Sequence, residues 1–174
     1  MEKDFSTKEG VQFFIPSTSR LIFFTLLSFG GYSLYWFVQN FIAIEKSRKA
    51  RGKKTRTFFW GVFSGFTAGI LFKELELIKK GNSDNGFKIN STLLGLIYFI
   101  FAFFSGFILM YPIVFISTAL IFHNQLIKYS KDGKYTYKHS AFKKSELVFT
   151  LVCFVLGVLR LFNYISSIYL STLY

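Results

Sequence analysis

Arg160 and Asn163 stand three residues apart inside the apolar run 147–173. On a helix that spacing puts both on one face. A guanidinium beside a carboxamide in an apolar medium is suited to holding a phosphate or a carboxylate. Charges inside a membrane are costly and mark interior or functional positions. Arg160 lies about 20 Å along such a helix. Two readings follow: a polar site in the protein interior that could also meet a lipid phosphate, or a side chain that snorkels to the outer headgroups. His123, Asn124 and Gln125 form a second polar group. The other histidine, His139, lies in the following segment, and no acid or cysteine accompanies the first, so hydrogen bonds between helices are expected rather than a metal site. Cys153 is the single cysteine. It precludes a disulfide within the chain and reads as a buried thiol. No Gly-rich phosphate loop, His-Glu-x-x-His pair or Gly-x-Ser-x-Gly elbow is present. Only nine residues are acidic, and none is well inside an apolar run, which argues against an intramembrane aspartyl protease or an acidic proton relay. The sequence therefore predicts a non-enzymatic protein with no catalytic residues, no metal and no cofactor.

The elements that must carry these residues are long and apolar. Of the 174 residues, 52 % are hydrophobic, and 25 are phenylalanine. That content exceeds what a soluble core of this size hides, and its clustering into long runs reads as transmembrane helices. The first run is 21–44, the second stretch 57–78, then 92–127 and 147–173. The third is too long for one crossing and predicts two helices, 91–109 and 112–128, meeting near Pro112. Gly61, Gly65 and Gly69 form a smooth stripe on the second, suited to close helix packing. Glu74 and Glu76, with Lys73, Lys79 and Lys80, place its end at an interface. "GNSDNG", 81–86, reads as a turn, and Asp132–Gly133 could turn a small hairpin. Residues 1–20 read as a polar arm, 21–174 as one membrane domain, and no cleavable leader is expected.

"SFGGYSLYWF", residues 28–37, interrupts the first run. Gly30 and Gly31 each weaken a helix by about 1 kcal/mol relative to alanine. Tyr32, Tyr35 and Trp36 carry polar tips on apolar rings and favour an interface or a polar interior. The pattern predicts either a helix with interfacial anchors or one broken at Gly30–Gly31, its halves set at an angle and lining an interior site with Arg160 and Asn163. The stretch 13–41 resembles the start of a family of small bacterial inner-membrane proteins of unknown function. The residues that carry the resemblance are Pro16, Ser17, Ser28, Phe29, Gly30, Tyr32, Leu34, Tyr35, Trp36, Phe37 and Asn40. "TRTFFWGVFSGFTAGILFKEL" resembles that family's next segment. The resemblance implies a membrane fold and no activity.

Net charge is +12, and seventeen of the twenty-one basic residues lie in 46–56, 73–90 and 128–146. The positive-inside tendency puts all three on the cytoplasmic side. The prediction is an all-α integral membrane bundle of about four spans, both termini outside, with 57–78 interfacial or half-inserted. Lys46, Arg48, Lys49, Arg51, Lys53, Lys54 and Arg56 would meet anionic headgroups rather than nucleic acid. The expected role is a structural or accessory subunit in the bacterial inner membrane, alone or with another membrane protein or itself. The alternative is a small-solute, ion or lipid transporter or channel, alone or as an oligomer.

Overall fold

The computed structural model describes residues 13–50, 52–54, 56–80, 90–104, 110–131 and 140–171. Every regular element among them is an α-helix: α1 (Thr18–Leu27), α2 (Tyr32–Ala50), α3 (Thr57–Val62), α4 (Ser64–Lys80), α5 (Ser91–Phe104), α6 (Met110–Lys131) and α7 (Lys144–Ser171). The predicted turn at 81–86, the Asp132–Gly133 hairpin and His139 lie outside the described residues.

Ser17 opens α1 by accepting a hydrogen bond from the Arg20 amide at 3.4 Å, a serine cap that satisfies an otherwise unpaired helix donor. The helix stops at Ser28–Gly31. Phe29 and Gly30 have φ of 51° and 88°, a left-handed geometry that glycine adopts without cost and phenylalanine does not. Ser28 Oγ then accepts from the Tyr32 amide at 2.8 Å and starts α2. The predicted break is present, but its geometry is a reversal. The Phe14 amide donates to Asn40 Oδ1 at 3.1 Å, and the Phe24 and Tyr32 rings meet edge-on at 5.5 Å. A straight helix would hold Phe14 and Asn40 about 40 Å apart. The run 21–44 is thus not one traversing helix: α1 and α2 form an antiparallel hairpin with its tip at 28–31.

A second reversal corrects the reading of 57–78 as one stretch. Thr57 Oγ1 donates to Glu45 at 2.9 Å, Trp60 packs on Phe41, and Gly61 abuts Val38. So α3 runs back along α2. After Phe63, α4 turns again. Thr67 Oγ1 donates to the Trp60 carbonyl at 2.5 Å, and Glu74 reaches Arg48. The predicted glycine stripe is divided by this turn. Gly61 serves α2, whereas Gly69 lies against Gly95 of α5, where a Cβ would come within 2.5 Å of the Gly69 Cα. The contacts of Gly69 with Gly95 and of Phe66 with Phe99 make α4 and α5 antiparallel. Pro112 falls in the first turn of α6, where its missing N–H costs no helical hydrogen bond.

The core is aromatic. Tyr32, Phe37, Phe41, Tyr98, Phe115 and Phe122 are fully buried, and Trp36 stands edge-on to both Phe115 and Phe122. On α7, only the first half packs. Gly31 leaves room for Cys153, and Gly157 for the Phe29 ring. From Val158 to Ser171 every side chain is exposed except the half-buried Ser166. Among the described residues α7 is the one helix long and apolar enough to cross a membrane, with a mean hydropathy of 2.1 over its best window. The apolar cores of three other elements, Thr18–Leu27, Ser91–Phe101 and Pro112–Asn124, are shorter.

Candidate functional site

The hairpin and α7 meet at a buried charged centre. Glu146 lies in the first turn of α7, where a carboxylate complements the helix dipole. Its side chain is wholly buried. Tyr32, the first residue of α2, donates its phenolic hydrogen to Glu146 Oε1 at 2.5 Å. Arg20 approaches the same oxygen from α1, with Nε at 3.2 Å. This contact is an ion pair without hydrogen-bond alignment, since Arg20 Nε and Glu146 Oε2 have no hydrogen-bond partner. Arg20 also donates through Nη2 to the Ser140 carbonyl at 2.8 Å. Thr150 Oγ1 donates to the Glu146 carbonyl, and Tyr35 Oη lies 3.5 Å from Ser145 Oγ.

Below this centre the entry strand is clamped on both sides. Asn40 accepts from the Phe14 amide and donates to the Phe14 and Trp36 carbonyls. Ile15 donates to Ser140 Oγ, and the Ser140 amide donates back to the Ile15 carbonyl, both at 2.8 Å. Residues 13–20 and 140–146 therefore lie side by side. The expected topology placed the first outside and the second inside, and these bonds overturn that assignment.

A second buried pair ties α2 to α4. Arg48 Nη1 and Glu74 Oε1 are 2.6 Å apart, both side chains nearly inaccessible. The guanidinium also lies 4.8 Å above the Trp60 ring, a cation–π arrangement that arginine favours. Arg48 thus leaves the expected lipid-contact set, because its neighbours on α3 and α4 supply both an anion and an aromatic face. Lys49 is exposed and pairs with Glu45 at 2.7 Å. Lys53, Lys54 and Arg56 are exposed. The Lys46 side chain and Arg51 lie outside the described residues.

Of the expected interior set, Gly30, Gly31, Tyr32, Tyr35 and Trp36 come together at and beneath the hairpin tip. Arg160 and Asn163 do not join them. Both are exposed on the part of α7 that extends beyond Gly157. The cation beside the break is Arg20, and its counterion Glu146 ends the lysine-rich segment 128–146. A signal for them existed: each is the charge bordering an apolar run, and the two have opposite sign. His123 is buried and Asn124 exposed. Among the described residues no three His, Cys, Asp or Glu side chains converge as metal ligands.

Fold and centre together define, among the described residues, an all-helical chain with two buried ion pairs, many exposed apolar side chains and one helix long and apolar enough to cross a membrane. No known protein family, characterised protein or solved structure matches the chain.

Proposed function

We propose that this chain is a non-enzymatic protein embedded in the bacterial inner membrane, where it serves as an accessory subunit of a membrane assembly. The observation that carries this reading is the inverted distribution of polarity. Glu146, Asn40, Glu74 and His123 are buried, whereas Phe23, Phe58, Phe66, Phe101, Val148 and Phe162 are among thirty exposed large apolar side chains. In water that surface would be an aggregation hazard far beyond an ordinary patch. In lipid it is the expected exterior, with polar groups satisfied within protein.

The arrangement favours a re-entrant membrane architecture. In this reading α7 crosses the bilayer. The α1–α2 hairpin enters beside it and returns to the side of residues 140–146, and α3–α4 turns back in the same way. The basic segments keep one side, the cytoplasmic one, so the amino-terminal arm joins them and the carboxyl terminus faces outward. The packed hairpin tip, filled by Cys153, Phe154 and Phe24, supports an accessory role over solute transport.

Cysteine labelling in a Cys153→Ser background tests the proposal. Cysteines replacing Ser19, Lys53 or Lys144 should react only after the inner face is opened. One replacing Ser171 should react from outside in intact cells. Outside labelling at Ser19 with protection at Lys144 would refute the re-entrant hairpin. A protein found in the soluble fraction would refute the membrane reading itself.

A further inference from the structure

The inner face of α7 has a strict register. Glu146, Thr150, Cys153 and Gly157 follow one another at spacings of four, three and four, and all turn toward the hairpin. The same alternation continues through Arg160, Tyr164, Ser167 and Ser171. Such a 3–4 seam is what a helix presents to a neighbouring helix over its full length. The first half of the seam is occupied by α1 and the start of α2. The second half faces outward with no element of the described chain on it, because the hairpin ends at Phe29, level with Gly157. It is also the polar stripe of that half. Val158, Leu159, Leu161, Phe162 and Ile165 on its flanks are apolar and exposed.

We propose that this second half-seam is the docking site for a transmembrane helix of another protein, one that carries a carboxylate at the depth of Arg160. The inference rests on the membrane reading above and names the partner that the accessory role requires. Three observations select the occupant. The seam is continuous with an interface already formed in the chain. Arg160 makes no ion pair among the described residues and needs an anion in a medium of low dielectric. A second copy cannot provide it, since no Asp or Glu occurs after Glu146 and parallel copies would oppose Arg160 to Arg160. A headgroup phosphate is a poor alternative. If the apolar core starts at Leu147 and runs about 20 residues, Arg160 is nearer the carboxyl-terminal face, yet helical side chains lean toward the amino terminus.

The test uses energy transfer in phosphatidylcholine vesicles. The full-length chain is labelled at Lys144→Cys in the Cys153→Ser background. The partner is a labelled Leu/Ala transmembrane peptide with one central Glu, or with Gln in its place, at mildly alkaline pH. The Glu peptide should bind about tenfold more tightly than the Gln peptide, the scale of a strong interhelical polar contact. Arg160→Gln should abolish the difference. Arg160→Glu should restore tight binding to a peptide with a central Lys. Because Arg160 is exposed and touches no other element among the described residues, these variants keep the fold, which thermal unfolding verifies. Equal binding of Glu and Gln peptides overturns the proposal. So does loss of the difference when phosphatidylglycerol is added, which would assign Arg160 to headgroups. Stronger transfer between two copies of the chain than to the peptide would assign the seam to self-association and overturn it as well. Any of these results alongside outside labelling at Ser171 removes the docking seam alone, whereas failed labelling at Ser171 removes the membrane reading beneath it.

Discussion

Glu146 carries more than one contact, and its loss should be felt at each. Removing one partner of a buried ion pair leaves an uncompensated charge and costs about 3 kcal/mol or more. Glu146→Ala should therefore lower the thermal-unfolding midpoint in detergent sharply, and Arg20→Met should do similar damage. The double variant should lose less than the sum, by about 1 kcal/mol or more, because contacting groups couple. Additive losses would show that Arg20 and Glu146 act separately. Glu45 offers a contrasting case at the surface. Hydrogen bonds from Lys49 and Thr57 hold its carboxyl below the usual value of 4.5. Its contribution is complete above the unfolded-state value and fades as pH falls through the lower folded one. Thr57→Val should weaken that acid dependence in a pH series of unfolding midpoints. These partners were hidden in the sequence for one reason. Glu146 sits among lysines and Arg48 within a basic run, so local composition assigned both to the surface. Their counterparts stand 126 and 26 residues away, and no local pattern encodes such a pairing.

The two hairpin tips show what local pattern does encode. Paired glycines announced the break at 30–31. The reversal itself was not legible, since a kink and a full turn need the same glycines. It is fixed by distant contacts: Asn40 on Phe14, and Glu146 on both Arg20 and Tyr32. The tip is held against α7 by reciprocal fit. A Cβ on Gly157 would strike the Phe29 ring, so Gly157→Ala should lower the unfolding midpoint. Adding Phe29→Gly should restore it, since glycine removes the ring and accepts the positive φ. If the second change deepens the loss, ring packing outweighs both effects. Gly95→Ala makes a useful comparison. It meets the Gly69 backbone, which has no side chain left to trim, so no substitution at Gly69 should rescue it.

Across the whole molecule, hydropathy gave the helical class and the membrane expectation, but among the described residues only α7 is long and apolar enough to cross a membrane. Run length measures apolar content, and a hairpin contains as much of it as a span. The same ambiguity concealed that residues 13–20 lie beside 140–146, where Ile15 and Ser140 exchange hydrogen bonds. Basic residues remain the best indicator of sidedness. Lys49, Lys53, Lys54 and Arg56 are exposed, and each residue of this kind near an anionic surface contributes about 1 kcal/mol. Neutralising all four should reduce retention of phosphatidylglycerol on purification and loosen orientation in the labelling assay. Unchanged lipid retention would leave the segment a solvated loop.

The Arg20–Glu146 contact also sets an order of events during synthesis. Arg20 leaves the ribosome 126 residues before its counterion Glu146, so the hairpin must wait, incompletely neutralised, while α2 to α6 are made. Arrival of α7 both supplies the anion and provides the wall against which the tip closes. A nascent chain stalled before residue 146 should thus be an early substrate for membrane proteases, and one stalled just beyond the first half of α7 should resist them.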